Sequence, residues 1–175
     1  MDNTLNQKLV LALICIGLIF ILLPEGQKES AIMPFINTIA PDSSLSEREL
    51  IENAINNTDK NVMAHIVFIN VTTKDEVEEN CQNAEVVGCT ITKTLTATTE
   101  DTEGKRTIRI DTARIYIANK DALKPTCNSF ENVVYHEIGH VVYNYQHNFE
   151  VNDSEIPAME AFANAYADNF AKNKC

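Results

Sequence analysis

The segment Val133-Val-Tyr-His-Glu-Ile-Gly-His-Val-Val142 restricts this chain more than any other stretch. Its histidines, His136 and His140, stand four positions apart, so on a helix they project from one face on successive turns. Glu137 falls beside them, and Val133, Val134, Tyr135, Ile138, Gly139, Val141 and Val142 are all uncharged. Uncharged flanks of this kind suit a half-buried helix. Asn128-Ser-Phe-Glu131 reads as a capping box just after Pro125, which predicts a helix from there to about Asn144.

Two imidazoles on one helical face can reach a single zinc ion. Zinc lowers the pKa of a water it holds to about 7, and a carboxylate at the position of Glu137 can take that water's proton as it attacks a carbonyl. The competing reading is a helix with two ordinary histidines and no metal. A chance match on an exposed helix would usually have charged flanks, and these flanks are apolar.

The rest of the chain supplies a scaffold. Ser44-Leu-Ser-Glu-Arg-Glu offers overlapping capping boxes before Leu50, Ile51, Ala54 and Ile55, which predicts a helix at 45–57. Residues 62–71 are rich in β-branched and aromatic residues and predict a strand, with His65 as a sheet residue. A short acidic helix is expected at 73–80. Residues 88–98 and 106–118 alternate on either side of a polar break and predict a hairpin. Ser154 and Pro157 open a last helix that carries Glu160, Ala163, Asn164, Ala167 and Phe170. The order of these elements implies an α+β domain at 45–175 with an antiparallel-rich sheet.

The N-terminus adds a location. Residues 9–23 form an unbroken apolar run between Lys8 and Pro24, with no small-residue cleavage site after it. An uncleaved signal anchor at 1–24 is therefore favoured over a cleaved signal of a secreted protein, followed by a stalk at 25–44 that holds Gly26, Pro34 and Pro41. Lys8 and the α-amine favour a cytoplasmic N-terminus, which leaves the domain outside. Outside the apolar run, which holds Cys15, lie Cys81, Cys89, Cys127 and Cys175. Four cysteines allow three connectivities; Cys81–Cys89 with Cys127–Cys175 is one of them, and four free thiols are the cytosolic alternative. Asn56, Asn70 and Asn152 begin glycosylation sequons, which arise often by chance. A net charge of −11 without a Lys/Arg block argues against nucleic acid as a partner.

The segment 133–142 resembles the extended signature of the zincin metallopeptidases, and residues 127–171 are most similar to the gluzincin, thermolysin-like group. The resemblance implies a small zincin-like domain in which Glu137 is general base and acid and a glutamate on the following helix is the third zinc ligand. Glu160, twenty positions after His140, matches that spacing. In that group an acid four residues further on braces a zinc-bound histidine; here the position is Asn164, an amide that can accept the N–H without supplying charge. Metzincins instead place a glycine and a third histidine where this chain has Tyr143 and Gln146, with His147 displaced by one. A helix ending at Asn144 would let His147 reach the metal. A helix that continued would carry it about 10 Å further along the axis. Glu155 is a further alternative. Residues 114–118 resemble in position the zincin edge strand that pairs with an extended substrate. Tyr116, Tyr143, Tyr145 and Tyr166 are oxyanion candidates by chemistry alone. The expected protein is a membrane-anchored, extracytoplasmic zinc metallopeptidase acting on peptides or proteins. Its rivals are a zinc-bearing binding module without turnover and a structural surface protein.

Overall fold

Period-two burial builds the sheet and period-3.6 burial covers it. In the computed structural model, which describes residues 35–38, 45–101, 104–123 and 129–172, the chain runs β1 (Phe35–Thr38), α1 (Leu45–Asn57), α2 (Lys60–Met63), β2 (Ile66–Thr72), α3 (Lys74–Cys81), β3 (Gly88–Asp101), β4 (Gly104–Ala118), α4 (Phe130–Gln146) and α5 (Ile156–Phe170). This is an α+β architecture. Ile69 and Val71 of β2, with Ala113, Ile115 and Ile117 of β4, are fully buried in one cluster with Ile51 and Ala54 of α1 and Val134, Ile138 and Val141 of α4. On the opposite face Tyr116 and Ala118 meet Val77 of α3, with Phe68, Cys89 and Ile91 packed around them.

The strand order is β1-β2-β4-β3. β3 and β4 form the expected hairpin, from Gly88 opposite Ile117 to Asp101 opposite Gly104. The other two pairings are parallel, so the sheet is mixed where an antiparallel-rich one was expected. The physical reason is the crossover: α1 and α2 return the chain between β1 and β2, and parallel neighbours need such a connection. β4 enters between β2 and β3, which makes β3 an edge and 114–118 an interior strand. The edge-strand expectation for 114–118 is thereby corrected. The distal hairpin runs past the core, leaving Leu95, Ile108 and Ile110 exposed.

Local boundaries shift for identifiable reasons. Val62 and Met63, expected in a strand, belong to α2, because the Asp59 carboxylate accepts the Asn61 N–H at 2.7 Å and starts a helical turn. The cap of α4 is Ser129, which accepts the Asn132 N–H at 3.2 Å. Glu131, expected as the reciprocal partner in a capping box, is buried and accepts the Lys172 N–H at 3.1 Å. Asn152 and Glu155 form a capping box on the 3-10 turn Asp153–Glu155 that leads into α5. A disulfide joins Cys81 at the end of α3 to Cys89 in β3, with Cα atoms 6.1 Å apart. β1 falls within the stretch 25–44 expected as a stalk, and its four residues pair with β2. The anchor at 1–24, Cys127 and Cys175 lie outside the described residues; among those described, no helix is long and apolar enough to cross a membrane.

Candidate metal centre

The motif helix α4 is nearly immersed. Val134, Ile138 and Val141 are fully buried against the sheet, and Asn132, His136, Glu137, His140 and Asn144 line a cleft of about 560 Å³ between α4, α5 and the start of β3. His136 and His140 stand on successive turns with ring centroids 4.7 Å apart and their Nε2 atoms 3.1 Å apart. Glu160 on α5 places Oε2 at 3.5 Å from His136 Nε2 and Oε1 at 3.6 Å from His140 Nε2. One donor atom from each of the three residues lies within 4.8 Å of the other two.

Small residues deliver Glu160 to this position. A Cβ built on Gly139 would lie 2.9 Å from Ala163 Cα, so α4 and α5 touch backbone to backbone there. Ala163 and Ala167 are buried on the contact face of α5, and Glu160, one turn before Ala163, emerges at its edge beside the histidines. His140 is 8% exposed; burial first, and then the neighbouring His136, pull its pKa down to about 4. It is therefore neutral near pH 7, with a lone pair free for a metal.

Glu137 is 4% exposed. Burial pushes its carboxyl up to about 8, with the charge of Glu160 adding to the rise and a hydrogen bond from Thr90 opposing it. Thr90 Oγ1 donates toward Glu137 Oε2 at 2.8 Å and toward the Glu137 carbonyl at 2.9 Å. Gly88 leaves room for the carboxyl: a Cβ there would sit 2.7 Å from Glu137 Oε1. Neither Gly88 nor Thr90 stood out in the sequence, because no spacing along the chain marks a strand residue that will face a helix.

The other candidates lie elsewhere. Helix α4 continues to Gln146, and His147 is its C-cap. The His147 ring stacks on Tyr143 at 4.0 Å with Nδ1 2.8 Å from the Tyr143 carbonyl oxygen, and it does not line the cleft. Glu155 is occupied in its capping box with Asn152. Asn164 lines the cleft, but His140 Nδ1 is buried with no hydrogen-bond partner, so the expected brace is not made. Instead Asn144 Nδ2 donates to the His140 carbonyl at 2.8 Å. His65 sits just before β2, its Nδ1 2.8 Å from the Asp111 carbonyl oxygen and its ring against Phe149 and Tyr145. Tyr116, Tyr143, Tyr145 and Tyr166 do not line the cleft.

Comparison of the chain with protein-family models, with curated proteins and with solved structures gives no match.

Proposed function

We propose that His136, His140 and Glu160 hold one zinc ion, and that Glu137 is the proton-transferring carboxylate of a peptide hydrolase of the zincin kind. The observation that carries this reading is the convergence of donors from α4 and α5: the two Nε2 atoms stand 3.1 Å apart, Glu160 Oε2 lies 3.5 Å from His136 Nε2 and Oε1 lies 3.6 Å from His140 Nε2, with one donor atom of each residue within 4.8 Å of the others. Ligands about 2.0–2.1 Å from a tetrahedral zinc must stand about 3.3 Å from one another. Two imidazoles and a carboxylate also suit zinc better than magnesium or calcium, which prefer oxygen donors throughout. Zinc in such a site supplies Lewis-acid activation of a water and of the scissile carbonyl.

The chain's own residues supply the remainder. Glu137 opens on the same cleft as the three donors, where a carboxylate can take a proton from a bound water and then give it to a leaving amine. Gly88, Cys89, Thr90 and Thr92 of β3 line that cleft, and β3 is an edge strand. An extended peptide can add to such an edge through its main chain, in the role expected of 114–118. Location rests on the sequence: the apolar run 9–23 and Lys8 support a membrane anchor with the domain outside. The Cys81–Cys89 disulfide suits that oxidising compartment.

The second reading is a zinc-holding binding module without turnover. It is favoured by one observation: no Tyr, Lys or Arg lines the cleft among the described residues to assist the zinc at a developing oxyanion. Metal analysis and a mixed peptide library separate the readings. The full chain should carry about one equivalent of zinc and cleave peptides, and E137Q should keep the zinc and lose cleavage. Zinc below half an equivalent would defeat both readings. Zinc without cleavage would leave the binding module.

A further inference from the structure

We infer that Thr90 is a positioning residue for Glu137, its hydroxyl holding the carboxylate in the orientation that proton transfer requires; this rests on the hydrolase reading above. The hydroxyl reaches both ends of one residue, the carbonyl of Glu137 at 2.9 Å and its Oε2 at 2.8 Å. A glutamate side chain turns about three bonds, and a partner that bridges its backbone and its tip removes most of that freedom. The other carboxylate oxygen, Oε1, lies where a side chain at position 88 would be: a Cβ on Gly88 would stand 2.7 Å from it and 2.9 Å from Val133 Cγ1. Residues 88 and 90 therefore hold the carboxylate from the strand side, one by a hydrogen bond and one by leaving space.

The platform beneath them is fixed. Thr90 is paired with Ile115, which is fully buried, and Cys89 is paired with Tyr116. Between the two contact residues, Cys89 is tied to α3 by its disulfide with Cys81. Neither metal-ligand histidine nor Glu160 hydrogen-bonds to Thr90, so loss of its hydroxyl should act on Glu137 and not on metal retention.

The test uses the zinc-loaded full chain as wild type, E137Q, T90V and T90S, with zinc content, melting temperature, kcat and KM measured on one cleaved peptide. T90V keeps the shape and removes the hydroxyl; T90S keeps the hydroxyl. The expected result is unchanged zinc in all four, a kcat about 10- to 100-fold lower in T90V with KM little changed, and recovery of most of that loss in T90S. Crystal structures of zinc-loaded wild type and T90V should show the Glu137 carboxylate displaced only in the variant. The proposal is overturned if T90V turns over like wild type, if T90S falls as far as T90V, or if T90V changes KM alone. Should T90V fail to fold, T90A takes its place under the same criteria. A wild type with no cleavage that E137Q abolishes would remove the hydrolase reading and this proposal together. Cleavage lost in E137Q but intact in T90V would remove only this proposal.

Discussion

Replacing Gly139 by alanine tests how the third donor reaches the histidines. The new methyl would lie 2.9 Å from Ala163 Cα, 3.2 Å from Tyr166 Cβ and 3.3 Å from Ala163 Cβ, where ordinary contact begins at 3.4 Å. The nearest atom is backbone and cannot rotate away, so α5 must move off α4 by about half an ångström or more. Overpacking of this kind costs about 1–3 kcal/mol. Alanine returns about 1 kcal/mol of helix propensity over glycine. The metal-free protein should therefore be destabilised by only about 0–2 kcal/mol. Metal binding should suffer more, because Glu160 sits one turn from the contact and metal–ligand distances tolerate only about 0.2 Å. A fall of at least about tenfold in zinc affinity is expected, read by competition with a chromophoric chelator, alongside melts with and without metal. Unchanged affinity together with a metal-free protein about 1 kcal/mol more stable than wild type would refute the close approach of α4 and α5 at Gly139.

Three further outcomes follow from the same geometry. E160A should lose zinc strongly while H147A retains it, measured by metal content after dialysis; the reverse result would move the third ligand to His147. Opening the Cys81–Cys89 loop, with a sequence separation of 8, by C81S/C89S should cost about 2.5 kcal/mol in a denaturant melt, and a loss below about 0.5 kcal/mol would deny the cross-link a structural role. In zinc-free protein Glu137 is raised from its ordinary 4.5 to about 8, so the fold disfavours its ionised form. Its stability contribution is then largest below pH 4.5 and falls as pH rises toward about 8. Chelated E137Q should lack that part of the slope, and identical melting curves across this range for both proteins would contradict the burial of the carboxyl.

Much of the architecture was legible where the physics is local. The apolar flanks of His136 and His140, the capping signals before α1, the alternation through β3 and β4 and the break between them all act within a few residues of chain. They anticipated α1, α4, the hairpin and the α+β class. The cap of α4 falls one residue later than expected, at Ser129, and β2 begins at Ile66, four residues after the expected start, because Asp59 first caps the helical turn α2; β1 lies where a stalk was expected.

The sequence by itself determined that two imidazoles share one helical face, because four residues make just over one helical turn wherever that helix is placed. Only the tertiary structure decided what surrounds them. Glu160 arrives because Gly139 and Ala163 let two backbones meet, and His147 is out of reach because α4 continues to Gln146 and carries it about 10 Å along the axis from His140. Thr90 and Gly88 frame Glu137 because β4 occupies the interior of the sheet and leaves β3 at the edge beside α4. Strand order and helix contact join residues tens of positions apart, and their selection depends on how the whole core packs, which no local spacing encodes.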